Sequence, residues 1–98
     1  NRKGAELIFG KLNTNFWKAI EKGDIKALYV LNADVDFKLT DAQKKSLKKL
    51  EFLAVQDFYM SDLAKLAHVV LPGTYFAEKT GTFTNRSGRV QRFTKALQ

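Results

Sequence analysis

The chain has 98 residues, no cysteine, a single histidine and a formal net charge of +7 from 17 basic and 10 acidic side chains. A chain of this length buries roughly two thirds of the surface its unfolded state exposes, so one modest core and a single domain over residues 1–98 are expected, as a fragment of a larger domain. Without cysteine there is no disulfide, zinc–thiolate or iron–sulfur site, and His68 alone builds no metal centre. No run reaches the roughly 18–20 apolar residues that span a bilayer, and Asn1-Arg2-Lys3-Gly4 has neither a signal-peptide core nor an initiating Met. A cytoplasmic chain cut from something longer is the expectation.

In chain order, Asn13 or Thr14 can cap a helix on which Phe16, Trp17 and Ile20 point one way and which Gly23 ends. Ala27 to Leu31 is the first of three nearly continuous apolar runs. Phe52 to Val55 and His68 to Leu71 are the others, and such runs suit strands of a parallel sheet. Between them, Thr40-Asp41-Ala42-Gln43 reads as a capping box that opens a helix over 41–50, with Leu47 and Leu50 on its apolar edge and Lys44, Lys45, Lys48 and Lys49 on its solvated face. Ser61 can cap a shorter helix of about two turns that turns Leu63, Leu66 and Ala67 inward.

Helix, strand, helix, strand, helix, strand implies right-handed crossovers. After Pro72, residues 81–85 and 89–94 read as two extended arms joined by Arg86-Ser87-Gly88, where Gly88 supplies the positive φ of a tight turn. The fold class is therefore α/β, a Rossmann-like three-layer unit with a short parallel sheet and a C-terminal β-hairpin.

In open α/β sheets ligands gather beyond the carboxyl ends of the strands. Those junctions contain Asn32, Ala33 and Asp34, then Gln56-Asp57 through Ser61, then Pro72-Gly73-Thr74. Asp57 can accept two N–H bonds from a purine edge or bind ribose hydroxyls, and Ser61 would stand at a helix start that favours phosphate. Both residues read equally well as loop and helix caps. Neither Gly-rich phosphate fingerprint is present. With no cysteine nucleophile, a structural His68, and Asp57 and Glu78 isolated in sequence, no catalytic set is complete. From Lys79 onward, Arg86, Arg89, Arg92 and Lys95 meet no acid, which allows an anionic partner and, as a separate reading, a small basic nucleic-acid module.

The opening NRKGA, the segment GDIKALYVLNADVD, and the long stretch LKKLEFLAVQDFYMSDLAKLAHVVLPGTYFAEKTGTFTNRSGRVQR together resemble the molybdopterin oxidoreductase family. Within that family the likeness is to the large iron–sulfur subunits of NADH-quinone oxidoreductase, respiratory complex I. Gln56-Asp57, Val69-Val70-Leu71-Pro72, Glu78, Gly81-Thr82, Asn85 and Gly88-Arg89 keep the family pattern. Its Gly-x-Asn-Pro turn has become Asn32-Ala33-Asp34-Val35, its Thr-Glu-Thr helix start Ser61-Asp62-Leu63, the Asp that opens its third strand His68, and its hairpin Glu Ser87.

The resemblance implies that Asn32, Asp34, Asp57 and Ser61 would be the contacts to a molybdopterin guanine dinucleotide, if that site is retained. An acid at Asp34 repels pyrophosphate. The expected role is therefore a scaffold segment of that large iron–sulfur subunit: no redox centre held by this segment, iron–sulfur clusters elsewhere in the parent, and electrons passing from NADH to quinone. Its partners would be the rest of that subunit and the other subunits of a respiratory complex, peripheral to the inner membrane, with no nucleic acid bound and no membrane insertion. The alternative is the nucleotide grip of an active formate dehydrogenase or nitrate reductase-type enzyme.

Overall fold

A computed structural model describes residues 1–31 and 37–97, which form, in chain order, α1 (Arg2–Phe9), α2 (Phe16–Lys22), β1 (Ala27–Leu31), α3 (Asp41–Leu47), β2 (Phe52–Asp57), β3 (Val69–Pro72), β4 (Gly81–Thr84) and β5 (Val90–Phe93). Single 3-10 turns stand at Ala64–Leu66 and Phe76–Glu78. The chain divides into two compact units, residues 15–73 and residues 1–14 with 74–97.

In residues 15–73 the three apolar runs pair as a parallel sheet in the order β1-β2-β3. Alternation along the strands decides what each face meets. Leu28 and Val30 of β1 align with Leu53 and Val55 of β2, and this face packs on Ile20, Leu39, Leu47, Leu50, Leu63 and Ala64. Ile20, Leu53 and Val55 are the most completely buried side chains, each stabilising by about 1.5–3 kcal/mol.

The capping box of α3 forms as the residues require: the Gln43 N–H donates to Thr40 Oγ1 at 3.2 Å and the Thr40 N–H to Gln43 Oε1 at 2.9 Å. The helix ends at Leu47 instead of Leu50. Its last turn tightens, with the Lys49 and Leu50 N–H groups donating to the carbonyls of Ser46 and Leu47 three residues back, and Leu50 still reaches the core. Beyond Ser61 the expected two-turn helix shrinks to one 3-10 turn, because the chain is extended again at Ala67 to enter β3. His68 has a structural task there. Its N–H donates to the Leu53 carbonyl at 2.8 Å, its Nδ1 accepts from the Leu53 N–H at 2.9 Å, and its ring stacks on Phe52. An Asp carboxyl, the family residue at this position, accepts hydrogen bonds as Nδ1 does.

Residues 1–14 and 74–97 hold the β4–β5 hairpin, paired antiparallel with Gly81 opposite Phe93 and Thr84 opposite Val90. Asn85 builds the turn: its N–H donates to the Arg89 carbonyl at 3.0 Å, its side-chain oxygen accepts from the Arg89 N–H at 2.9 Å, and its carbonyl accepts from Gly88, whose φ is 83°. Phe83 and Phe93 stack across the two strands with centroids 4.7 Å apart, and Phe76 meets Phe83 edge-on. Close approach explains the smallness of Gly81, where a Cβ would lie 2.8 Å from the Phe93 ring. Gly4 of α1 is held in the same way, 2.7 Å from Thr84 Oγ1 at the position of its missing Cβ. No sequence signal had marked α1, whose Leu7, Ile8 and Phe9 are exposed.

Among the described residues no helix is long and apolar enough to cross a membrane. Two substitutions test these contacts. Gly81→Ala should force Phe93 off Phe83 and cost about 1–3 kcal/mol, read as faster amide exchange across β4 and β5 than in the unsubstituted chain. His68→Ala should leave the Leu53 N–H short of its acceptor and cost about 1 kcal/mol in urea unfolding, whereas His68→Asp should recover most of the loss.

Candidate functional site

Parallel pairing places the carboxyl ends of all three strands at one edge of the sheet, and the central strand ends in a carboxyl group. Asp57 follows Leu53 and Val55 in the alternation, so it points to the same side and is only 4% exposed. Its two oxygens are already engaged. Oδ1 accepts from the Phe58 N–H at 2.9 Å, and Oδ2 accepts from the Ser61 hydroxyl at 2.6 Å. Ser61, 5% exposed, in turn accepts the Ala64 N–H on its Oγ at 3.1 Å. The Asp57–Ser61 bond thereby closes the loop of Phe58, Tyr59 and Met60 against the end of β2.

This loop forms one wall of an open cleft of ≈ 350 Å³, lined by Asp57, Phe58, Tyr59, Met60, Val70 and Pro72. Phe58 and Tyr59 lie 5.1 Å apart between ring centroids, giving the cleft aromatic surface. On the β3 side the Gly73 N–H donates to the Asp57 carbonyl at 2.7 Å, and a Cβ on Gly73 would stand 3.4 Å from that same carbonyl. The backbones of the two strand ends therefore approach closely beneath the cleft.

Of the four residues singled out from the sequence, Asp57 and Ser61 are brought together, and Asn32 and Asp34 lie outside the described residues. Ser61 acts as a cap, one of the two roles expected of it: its hydroxyl accepts the Ala64 N–H and donates to Asp57, ahead of a single 3-10 turn. The cleft residues Phe58, Tyr59, Met60 and Val70 were not foreseen as a group. Their signal was an aromatic run directly after a buried strand, inside a junction already marked for ligands. Among the described residues no cluster of His, Cys, Asp and Glu could hold a metal ion.

A family model for molybdopterin oxidoreductases matches residues 3–98. The alpha subunit of the NADPH-Fe(3+) oxidoreductase of Geobacter sulfurreducens is 48% identical over 82 residues, which are 82% of this chain and 10% of that protein. The alpha subunit of the F420-dependent formate dehydrogenase of Methanocaldococcus jannaschii is 47% identical over 79 residues, 76% of this chain and 11% of that one. That of F420-dependent formate dehydrogenase 2 of Methanococcus maripaludis is 45% identical over 75 residues, 74% and 11% respectively. The chain thus spans about a tenth of the length of the curated relatives it matches.

Removing the Ser61 hydroxyl isolates the Asp57 contact from the fold. Ser61→Ala should cost about 1–3 kcal/mol, because it strips a buried partner from Asp57 and the cap from Ala64 together. Amide exchange of residues 58–61 should rise well above that of β2, while Ser61→Thr, which keeps a hydroxyl, should stay close to the unsubstituted chain.

Proposed function

The chain belongs to the molybdopterin oxidoreductase family, and we propose that, within a longer polypeptide, it forms part of the nucleotide grip for a molybdopterin guanine dinucleotide in a formate dehydrogenase-type alpha subunit. The observation that carries this reading is the buried Asp57 carboxyl at the end of the central parallel strand, facing a cleft with aromatic walls.

The residues present fit one end of such a dinucleotide. The Asp57 carboxyl lines the cleft as a buried acceptor group, of the kind that pairs with the N–H groups of a purine edge. Phe58 and Tyr59 offer ring faces and edges to a flat base. Among the described residues no basic side chain lines the cleft, and the Ser61 hydroxyl is committed, so these groups suit the base and not the pyrophosphate. Asp57 selects the base, Ser61 holds Asp57 in place, and the approach of Gly73 to the Asp57 carbonyl fixes the strand ends beneath it. When bound, the cofactor supplies two-electron redox chemistry at its metal. This chain's share is binding and orientation.

Support for the formate dehydrogenase-type reading over a complex I scaffold comes from relatives named as formate dehydrogenase alpha subunits. The two readings separate on metal content. The full-length parent polypeptide should contain near-stoichiometric molybdenum or tungsten and release guanine nucleotide on acid hydrolysis. Asp57→Ala should lower both by about tenfold or more, through loss of hydrogen bonds to the base of about 1.5–3 kcal/mol in all. Iron without either metal would overturn this proposal and return the segment to a scaffold supporting NADH to quinone transfer.

A further inference from the structure

Helix α3 turns Ser46 and Leu47 inward, with Leu50 just past its end, and all three are buried. On its other side Lys45, Lys48 and Lys49 are exposed, and Lys38 is exposed two residues before the Thr40 cap. From Lys38 to Leu50 five lysines accompany one acid, Asp41. Elsewhere in residues 15–73 lysines meet acids: Lys26 lies 3.2 Å from Glu51, and Asp62 lies 3.5 Å from both Lys44 and Lys65. Among the described residues no acid pairs with Lys38, Lys45, Lys48 or Lys49.

Folding does not call for this cluster. Lys48 stands three residues from Lys45 and four from Lys44, spacings at which like charges on a helix repel. The carbonyl end of the helix dipole favours lysines in the last turn, but Lys38 precedes the amino end, where the dipole opposes it. An anionic surface brought against the face relieves the repulsion. Lysine is almost never fully buried without a partner, so the face stays at the surface of the parent, even though the curated relatives are about ten times as long as this chain. Residues 15–73 contain no arginine, the side chain whose planar fork suits bidentate capture of phosphate and nucleic acid. Hydrated ammonium groups instead suit the rim of a protein interface, where they steer a carboxylate-rich partner.

We infer that the lysine face of α3, made by Lys38, Lys45, Lys48 and Lys49, steers the docking of a companion subunit that presents a carboxylate-rich surface to the parent polypeptide. The inference rests on the reading of that parent as an alpha subunit, which implies a companion. Ammonium and carboxylate groups attract before contact and pair at its edge. The lysines therefore set the rate of encounter more than the lifetime of the complex.

Stopped-flow association of the full-length parent with its companion subunit, followed at low and at physiological salt, tests it. Lys45→Glu, Lys48→Glu and Lys49→Glu combined should lower the association rate constant about tenfold or more at low salt, flatten its salt dependence, and leave the dissociation rate within about twofold. Lys3→Glu, Lys79→Glu and Lys95→Glu combined make the same change of charge away from this face and should keep association within about threefold of the unsubstituted parent. Lys45→Gln, Lys48→Gln and Lys49→Gln combined keep good helix formers and should fall between the two, which separates lost charge from lost folding. An equal fall in both charge-reversed variants, no fall in either, or a parent that has no companion would overturn the inference. Duplex DNA that binds the parent through these lysines and excludes the companion would overturn it too. Metal content is read separately, so a parent without molybdenum or tungsten would sink the cofactor reading and leave the association rates interpretable.

Discussion

Strand β2 is paired on both sides by parallel neighbours, and that double pairing governs the rest of residues 15–73. With its backbone held from both edges, the strand cannot slip by one residue without exchanging Leu53 and Val55 for Phe52 and Ala54 in the core. The same alternation that buries Leu53 and Val55 delivers Asp57 to the covered side at the strand's end, where its carboxyl meets Ser61 and the Phe58 N–H. Core and candidate site are thus consequences of one register. A substitution that disturbs the packing of Val55 would displace the carboxyl two residues away.

The parts legible in the sequence were those with short-range physical signatures. Three apolar runs without alternation marked three parallel strands, the Thr40 to Gln43 spacing marked a capping box, and Gly88 marked the hairpin turn. What could not be read depended on contacts between distant segments. The Ser61 helix looked longer because Leu63, Leu66 and Ala67 have helical spacing, but the demand that Ala67 extend into β3 left space for one 3-10 turn. Helix α1 escaped notice because it is only eight residues long and Asn1 makes no side-chain capping bond at its start. The glycines Gly4 and Gly81 appeared as pattern residues, and their reason emerged only when Thr84 and the Phe93 ring were seen against them. At the candidate site, Asp57 was legible as the polar residue that stops an apolar strand, while the way Ser61 spends its hydroxyl required the folded loop.

The departures from the family pattern sort by what the structure asks of each position. His68 keeps the acceptor that an Asp at the start of β3 would provide, so the change alters chemistry while preserving the hydrogen bond to Leu53. Ser61 keeps the hydroxyl of the Thr it replaces. These substitutions leave the scaffold under the cleft intact, which is why two altered motif positions sit comfortably beside an unaltered Gln56-Asp57.

The hairpin turn adds one more consequence. Its hydrogen bonds run through the backbone of Asn85, Gly88 and Arg89 and through the Asn85 side chain. Ser87 contributes nothing to them, although the family pattern carries Glu there. The tip can therefore gain or lose a full negative charge without altering its own geometry, and a Ser between Arg86 and Gly88 adds no acid to the turn itself. Electrostatic potential at this tip is thus tunable independently of folding, a freedom that residues such as Asp57, tied into the packing beneath them, do not have.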